Sequence, residues 1–530
     1  MEVPLTPLRF LIGSARDRAR ETAIVCGEHG ETYGEYAARV RRLAGALRAL
    51  GVGRGDRVLY LGMNCHRLLE LYYGVLPLEA ILVPVNVRLA PGDVAFILQD
   101  AAPTVLVASP ELLPLLSRVP LPASVRHRVL AYAAPQGDAA GWLDFDTMLA
   151  AADEMPLTDA VDERSVAEIF YTSGTTARPR GVMLTHRTLY LHALSCIMAL
   201  GTSDRTRMLV GSVPLFHVNA WGQPQYMVAA GGIQVVVPRF DPPMFCDVVT
   251  RHRITHALMV PTMLTALLQY AAQAHPDLSS IERILIGGAP PPPALLARAR
   301  QEFGLDCIVG YGMTETSPVV SLSLPKAHMA GAPPEELARR QSLTGLPLIG
   351  VDVRVAHDDG SDVVRDGQDV GEILVRSDIV MEGYWNRPED TAVALAGGWM
   401  HTGDLAVVDD EGYLNVVDRK KDIIISGGEN IASVEIEAAL YSHPAVLEAA
   451  VVAAPDERWG EVPVAFVALR PGHSVTAEAL CAHARDRIAH FKVPHAVEFV
   501  DELPKTGTGK VQKAILRQRL REAQRPASAS

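Results

Sequence analysis

The chain has 530 residues, of which 48% are hydrophobic, and a formal net charge of −12 at pH 7. This length exceeds what one hydrophobic core usually supports, so two or more domains are expected. The acidic balance argues against a nucleic-acid-binding protein, which would present a basic face. The six cysteines form no Cys-x-x-Cys pair, which argues against a zinc site or a disulfide framework and favours a reducing, cytoplasmic setting.

The first part of the chain shows no secretory or membrane-spanning segment. Pro4, Pro7 and Arg9 interrupt its start, so no secretory leader is predicted. The most apolar stretch, Leu71 to Val87, contains Glu79 and two prolines. This stretch is predicted to form a core helix followed by a buried strand, not a transmembrane helix.

The segment from Tyr171 to Gly181 is rich in Thr, Ser and Gly. It lies between an apolar run at 166–171 and a helical pattern at 188–200, which predicts a strand, a phosphate-binding loop and a helix in that order. Backbone N–H groups and hydroxyls in such a loop can surround a polyphosphate. The segment is not a Walker loop, because no Gly-Lys-Ser/Thr closes it. On composition alone, a polar surface turn is an equal alternative.

The middle of the chain alternates short β-rich runs with helical patterns, which predicts an α/β fold with open sheets flanked by helices. The β-rich runs lie at 233–237, 257–260, 284–286 and 307–309. From Gly371 onwards, the runs at 372–376 and 413–417 indicate antiparallel strands. The charged run at 418–422 is followed by a helix, two strands, a helix and a strand, which places a domain boundary in that run.

Three further motifs suggest nucleotide chemistry, and each has a plainer alternative. In Gly310-Tyr-Gly-Met-Thr-Glu-Thr-Ser-Pro318 a Glu beside Thr hydroxyls suits Mg²⁺ bound together with phosphates, although a Gly-rich turn with a solvated Glu fits equally. His401-Thr-Gly-Asp404 and Asp418-Arg419 offer a carboxylate and a guanidinium that could hold ribose hydroxyls, or be solvated turn residues. Pro504-Lys-Thr-Gly-Thr-Gly-Lys510 could carry a Lys into a cleft, or be a basic surface loop.

Taken in order along residues 10–520, these motifs resemble the adenylate-forming superfamily of acyl-CoA synthetases, luciferases and adenylation domains. The resemblance implies a large N-terminal domain at 1–418, built from two α/β sheets with helices plus a small β-barrel. It also implies a hinge at 419–421 and a small, mobile α+β lid at 422–530. Two positions of the loop depart from the usual pattern, since Ala177 replaces Gly and Arg180 replaces Lys.

The same resemblance assigns roles to individual residues. The implied ATP contacts are Thr172, Ser173, Gly174, Thr175, Thr176, Arg180, Gly288, Ala289, Pro290, Gly310, Tyr311, Thr314, Asp404, Arg419 and Lys421. Mg²⁺ would be held by Thr172 and Glu315. Lys510 would be the adenylation lysine, bridging the acid's carboxylate and the α-phosphate of ATP.

The acid-binding segment, Pro214-Leu-Phe-His-Val-Asn-Ala-Trp221, resembles long- and medium-chain fatty acyl-CoA synthetases most closely. In these relatives the residue at His217 lies beside the carboxylate and the Trp gates the acyl tunnel. Core packing is the plainer alternative for Trp221. The residues assigned to the acid and CoA are Val218, Trp221, Gly312, Gly427 and Gly428. A narrow pantetheine tunnel would need the two small glycines at 427–428, although a tight turn would need them as well.

The expected function is therefore an ATP- and Mg²⁺-dependent acid–CoA ligase that forms an acyl-adenylate and then a thioester, with release of pyrophosphate and AMP. The expected acid is a medium- or long-chain fatty acid, with an aryl acid as the second choice. A second interpretation is an adenylating enzyme of secondary metabolism that activates an unusual acid, such as an aryl acid or a non-carboxylic oxyacid, or passes the adenylate to a nucleophile other than CoA. A non-catalytic nucleotide-binding scaffold is a third, against which the intact Lys510 and Glu315 argue. The expected partners are the small acid and CoA, without nucleic acid, and a homodimer is left open.

Overall fold

The computed structural model describes residues 2–133, 140–172, 178–329, 331–427, 429–456, 458–505 and 511–523. The chain forms two compact units. The first comprises Met1–Asp352 and Val375–Met400, and the second comprises Val353–Leu374 and His401–Ser530. Among the described residues, no helix is both long and apolar enough to cross a membrane. All six cysteines are free thiols.

The strands are β1 (Thr22–Cys26), β2 (His29–Thr32), β3 (Arg57–Leu61), β4 (Ile81–Pro84), β5 (Val105–Ala108), β6 (His127–Leu130), β7 (Leu143–Asp144), β8 (Val166–Thr172), β9 (Arg180–Thr185), β10 (Arg207–Val210), β11 (Ile233–Val236), β12 (His256–Met259), β13 (Arg283–Ile286), β14 (Cys307–Gly312), β15 (Val319–Leu322), β16 (Leu346–Pro347), β17 (Asp352–Ala356), β18 (Gly371–Arg376), β19 (Gly383–Tyr384), β20 (Met400–Val408), β21 (Leu414–Arg419), β22 (Ile424–Ser426), β23 (Glu429–Ile431), β24 (Val446–Asp456), β25 (Gly460–Leu469) and β26 (Ala496–Phe499).

The α-helices are α1 (Leu8–Asp17), α2 (Tyr33–Ala49), α3 (His66–Gly74), α4 (Pro91–Ala101), α5 (Leu113–Leu116), α6 (Phe145–Ala150), α7 (His186–Leu200), α8 (Val218–Ala230), α9 (Pro242–His252), α10 (Pro261–Ala274), α11 (Pro293–Phe303), α12 (Pro334–Gln341), α13 (Pro388–Ala394), α14 (Ser433–Tyr441), α15 (Ala477–Arg485) and α16 (Lys513–Ala523).

A nine-stranded sheet in the first unit has the order β16-β15-β14-β13-β12-β10-β11-β1-β2. Its strands from β14 to β1 run parallel to one another. Parallel sheets are covered on both faces, so their strands are continuous apolar runs, which is why the strands at 233–237, 257–260, 284–286 and 307–309 could be predicted. The carboxyl ends of these strands meet at one edge, the usual place for a ligand in an open α/β sheet.

An eight-stranded sheet in the same unit has the order β19-β9-β8-β4-β3-β5-β6-β7. Strand β9 corrects the prediction that a helix directly follows the phosphate loop. It pairs antiparallel with β8 and buries Val182 and Leu184 completely, so the loop closes a β-hairpin. The helix α7 then starts after Thr185, whose side chain accepts a hydrogen bond from the Thr188 N–H.

The second unit contains a four-stranded sheet, β17-β18-β20-β21, and a five-stranded sheet of order β23-β22-β25-β24, in which β26 also pairs with β25. Helices α14 and α15 cover the latter sheet and bury Ile436 and Leu480 against Val451 and Val467. The two large sheets with their helices, together with this smaller C-terminal unit, confirm the predicted α/β fold class.

Candidate active site

The base of the phosphate loop is fixed by the hairpin of β8 and β9. Thr172 pairs with Arg180 in the ladder, and the Thr172 hydroxyl donates to the Arg180 carbonyl at 3.5 Å. The residues at 173–177 lie outside the described residues, so four predicted phosphate contacts, Ser173, Gly174, Thr175 and Thr176, are not described. Thr172 and Arg180 nevertheless stand where the two ends of that loop begin.

The guanidinium of Arg180 is available to an anion. It lies 4.4 Å from the centre of the Tyr384 ring and 3.9 Å from the Asp390 carboxylate. Its Nε atom is buried and has no hydrogen-bond partner among the described residues. A buried N–H without an acceptor is costly, so this atom fits a phosphate oxygen of a nucleotide.

Glu315 lies in a short buried turn directly after β14. Its side chain is nearly inaccessible, and its Oε1 accepts a 2.8 Å hydrogen bond from the Tyr384 hydroxyl. Its backbone carbonyl accepts a 2.8 Å hydrogen bond from the Met381 N–H. Burial raises the pKa of the Tyr384 hydroxyl, and Glu315 raises it further. None of the described residues forms an ion pair with Glu315. The negative charge of this buried carboxylate therefore has no cationic partner among them, and a bound Mg²⁺ would fit there.

Tyr384 is the functional residue that the sequence analysis missed. The Arg180 guanidinium lies over the Tyr384 ring, and the Tyr384 hydroxyl donates a hydrogen bond to Glu315. One side chain therefore contacts both the predicted phosphate contact and the predicted metal ligand. These residues are far apart in sequence, and the only local signal was an aromatic pair, Tyr384-Trp385, in an otherwise polar segment.

The predicted adenine segments follow the neighbouring parallel strands β13 and β14. Gly288, Ala289 and Pro290 are exposed just beyond β13, while Gly310 and Tyr311 end β14. Thr314 is buried in the turn that follows. Both segments therefore lie at the carboxyl edge of the sheet. Gly312, predicted to leave room for the acid, has a packing reason as well, because a Cβ there would lie 1.7 Å from the Pro318 carbonyl oxygen.

The predicted acid-binding segment forms a left-handed turn at the start of α8. Val218, Asn219, Ala220 and Trp221 have φ between 39° and 62°, and Gly222 has φ 87°. Left-handed geometry costs roughly 1–2 kcal/mol for each residue with a Cβ, so the surroundings must impose it. His217 directly precedes the turn. The indole of Trp221 packs on Gly287, because a Cβ added to Gly287 would lie only 2.5 Å from the indole carbon Cη2. Trp221 thus covers the start of the adenine segment.

The predicted ribose contacts belong to the second unit. Asp404 and Arg419 are partners across the antiparallel strands β20 and β21, and Arg419 Nε lies 3.1 Å from Asp404 Oδ1. Asp404 is buried, whereas about half of the Arg419 side chain is exposed. Burial lowers the pKa of the Lys421 ammonium, and the neighbouring Arg419 lowers it further.

The predicted CoA segment is only partly described, because Gly428 and Lys510 lie outside the described residues. Gly427 has φ 60° and donates its N–H to the Trp459 carbonyl at 2.7 Å. A Cβ at Gly427 would lie 2.8 Å from the Trp459 ring. Turn geometry and packing against Trp459 therefore already require a glycine at this position.

Comparison with known proteins identifies the family of the chain. The model of the family described as AMP-binding enzyme matches residues 13–385, and that of the AMP-binding enzyme C-terminal domain matches residues 435–510. The chain is 40% identical to a long-chain-fatty-acid–CoA ligase of Thermus thermophilus over 92% of this chain and 90% of the relative. It is also 40% identical to a feruloyl-CoA synthase of Amycolatopsis over 95% of this chain and 97% of the relative.

A solved structure agrees with the fold along the whole chain. The crystal structure of an anthranilate CoA ligase in complex with anthranoyl-AMP superimposes with a TM-score of 0.87 at 26% identity, covering 99% of this chain and 98% of that one. The matched family models, the two relatives and this structure agree on the family and on the fold. The chain belongs to the family of AMP-binding, adenylate-forming enzymes.

Proposed function

We propose that the chain is an AMP-forming acid–CoA ligase, which couples a carboxylic acid to CoA through an acyl-adenylate. The observation that carries this proposal is the Arg180–Tyr384–Glu315 arrangement at the base of the phosphate loop. Within the part of the chain that the structure describes, it presents a guanidinium Nε without an acceptor and a buried carboxylate without an ion pair, which suit a polyphosphate and its magnesium ion respectively. The full-length similarity to acid–CoA ligases supports the same reaction.

In the first half-reaction, an oxygen of the acid's carboxylate attacks the α-phosphate of ATP and pyrophosphate leaves. Such a step depends on positioning and charge stabilisation. Arg180 would hold a phosphate oxygen, and Glu315 with Thr172 would hold Mg²⁺, which when bound neutralises phosphate charge. Lys510 would stabilise the charge that develops between the carboxylate and the α-phosphate.

Further residues of the chain would orient the two substrates. His217 would lie beside the acid's carboxylate, and Trp221 would border the acyl group. Asp404 would accept hydrogen bonds from the ribose hydroxyls, and its ion pair with Arg419 orients that carboxylate. In the second half-reaction the thiol of CoA attacks the acyl carbon and AMP leaves, after rotation of the lid about 419–421.

The acid is proposed to be hydrophobic, either a medium- or long-chain fatty acid or an aryl acid. Both classes occur among the relatives, as a long-chain-fatty-acid–CoA ligase and a feruloyl-CoA synthase. The segment Pro214–Trp221 contains no Asp, Glu, Lys or Arg that could pair with a second charge on the substrate. A buried charge without a partner is costly, so a zwitterionic amino acid is disfavoured.

The test is a pyrophosphate-release assay with saturated acids of increasing chain length, aryl acids and amino acids, each with and without CoA. A ligase gives pyrophosphate that depends on a hydrophobic acid, and an acyl-CoA product when CoA is added. If none of these acids supports the release of pyrophosphate, the proposal is contradicted.

One observation favours a second candidate, an adenylating enzyme that transfers the acyl group to another nucleophile. Trp459 occupies the space beside Gly427, so the glycine needs no CoA tunnel to explain it. The same assay separates the two candidates when hydroxylamine and simple amines replace CoA. An adenylate that reacts with amines in preference to CoA would favour the second candidate.

A further inference from the structure

A carboxylate that none of the predicted motifs includes lies beneath the acid-binding segment. Glu168 is on β8, four positions before Thr172, and its side chain is completely buried. Its Oε2 accepts a 2.8 Å hydrogen bond from Asn219 Nδ2, and its Oε1 accepts a 2.7 Å hydrogen bond from Gln225 Nε2. Both donors are neutral amides, and no described residue forms an ion pair with this buried carboxyl group. Burial raises its pKa to about 8.

Asn219 connects Glu168 to the left-handed turn. While its Nδ2 donates to Glu168, its Oδ1 accepts a 2.6 Å hydrogen bond from the Gly222 N–H, which closes the turn. The Asn219 side chain is fully buried, so both bonds are shielded from water. A side chain held at both ends can fix the left-handed backbone on either side of it, which Val218, Ala220 and Trp221 disfavour by themselves.

The turn is supported on its other side by His192 of α7. A Cβ on Gly222 would lie 2.7 Å from His192 Cε1, so the ring packs directly on this glycine. His192 Nε2 in turn accepts a 3.1 Å hydrogen bond from the Val319 N–H at the start of β15. The turn is therefore enclosed between the strand that leads into the phosphate loop and the strand that follows the Glu315 turn.

We propose that Glu168 is a positioning residue that fixes the left-handed turn Val218–Gly222, and through it the place of Trp221 and the enzyme's selectivity for its acid. Trp221 is the large side chain at the end of this turn, and its indole lies on Gly287 at the edge of the sheet where the nucleotide segments begin. The selectivity part of the proposal rests on the acid–CoA ligase function proposed above. The structural part, the dependence of Trp221 on Glu168, does not.

The variants follow from the hydrogen bonds. Glu168→Met keeps the approximate volume but removes the acceptor for Asn219. Glu168→Gln should be tolerated, because its oxygen can accept from Asn219 while its NH₂ donates to Gln225 Oε1, which is buried and has no partner among the described residues. Gln225→Met is the matched control, since it removes a hydrogen bond to the same carboxylate but leaves the turn's own bonds in place. Asn219→Asp replaces the donor by an oxygen and carries the test if Glu168→Met does not fold.

Two measurements separate this proposal from the proposed function. With 5-fluorotryptophan incorporated, the five tryptophans give ¹⁹F resonances, and that of Trp221 is assigned by Trp221→Phe. The Trp221 resonance should shift in Glu168→Met and Asn219→Asp, and stay in place in Glu168→Gln and Gln225→Met. In the acid series, the two shifted variants should lose at least tenfold in kcat/KM for the best acid and flatten the chain-length profile, with KM for ATP changed less than twofold.

Each outcome bears on the proposal. An unmoved Trp221 resonance in folded Glu168→Met or Asn219→Asp overturns it. A shifted resonance with the wild-type ranking of acids overturns the selectivity part, and equal effects of Gln225→Met show a general packing role instead. If the wild type releases no pyrophosphate with any acid, the proposed function fails, while the resonance still decides whether Glu168 positions Trp221.

Discussion

At the scale of single residues, variants of the buried pair Glu315 and Tyr384 can distinguish a role in metal binding from a role in folding. Tyr384 donates to Glu315 Oε1, which leaves the other carboxylate oxygen for a cation. A hydrogen bond from a hydroxyl group fixes the orientation of a carboxylate. We therefore expect substitution of Glu315 to remove the charge of the proposed metal ligand, and substitution of Tyr384 to disturb only the orientation of that ligand.

Glu315→Gln is expected to leave the fold intact and to raise the Mg²⁺ concentration needed for half-maximal pyrophosphate release at least tenfold, because an amide oxygen lacks the charge of the native ligand. Tyr384→Phe, which keeps the carboxylate but loses its hydrogen bond, should have a smaller effect in the same direction. The measurement is a magnesium titration at saturating acid, with circular dichroism as the control for folding. Magnesium curves that coincide for wild type and Glu315→Gln would make Glu315 a structural residue only.

Trp221→Ala is expected to widen the acid pocket and shift the preferred chain length upwards, while KM for ATP stays within about twofold. The reason is that the indole covers Gly287, and its removal opens that space without touching Arg180 or Glu315. The measurement is kcat/KM across saturated and aryl acids. Trp142→Ala is the matched control, since Trp142 is partly buried and packs against the core of the other sheet. A kcat/KM that does not change with chain length in either the wild type or Trp221→Ala would contradict the fatty-acid assignment. Activity confined to a small polar acid would contradict it as well.

At the scale of elements, the parallel strands were predictable and the contacts between distant elements were not. Continuous apolar runs such as 284–286 identify buried parallel strands from local sequence alone. Strand β9 was missed because its first residues, Arg180 and Gly181, continue the polar composition of the loop. The left-handed turn was missed because Asn219 is its one non-glycine residue of a type enriched at positive φ, whereas Val218, Ala220 and Trp221 disfavour that geometry. The Tyr384–Glu315 contact spans 69 positions, and no periodicity predicts such a pairing.

The packing of α7 against β15 makes stability depend on pH. Burial lowers the pKa of His192 to about 3, whereas an unfolded chain titrates a histidine near 6.5. The unfolded state therefore binds the proton first, so this contribution to stability is complete above pH 6.5 and is lost as the pH falls from there towards 3. Between pH 7 and pH 5 the loss is on the order of 2 kcal/mol.

His192→Gln replaces the ring by a side chain that accepts a hydrogen bond but does not titrate. The variant is expected to be less stable than the wild type at pH 7. Its free energy of unfolding should fall between pH 7 and pH 5 by about 2 kcal/mol less than that of the wild type. Urea unfolding followed by tryptophan fluorescence measures both values. His186, whose pKa burial lowers to about 4, remains in both proteins and cancels in the comparison. Parallel pH profiles for the two proteins would show that His192 is not the titrating group.

At the scale of the whole molecule, the residues proposed for the two half-reactions are divided between the two units. Arg180 and Glu315 belong to the first unit, whereas Asp404, Arg419 and the motif that ends in Lys510 belong to the second. The proposed adenylation lysine, Lys510, and the proposed CoA loop at 427–428 would act in different half-reactions. A lid that rotates about 419–421 would present them in turn, and this hinge stays a prediction.

Lys510→Ala tests that model directly. Because Lys510 would act only on the carboxylate and α-phosphate, the variant should lose about 10²–10³-fold in the rate of adenylation, by analogy with the removal of one oxyanion donor. It should still form acyl-CoA from chemically supplied acyl-adenylate at nearly the wild-type rate, since that step would use the other lid orientation. Lys505→Ala, at the start of the same motif, is the control, because Lys505 is already paired with Glu448. Equal loss of both half-reactions in Lys510→Ala would show that one lid orientation serves both steps, and the two-orientation model would have to be abandoned.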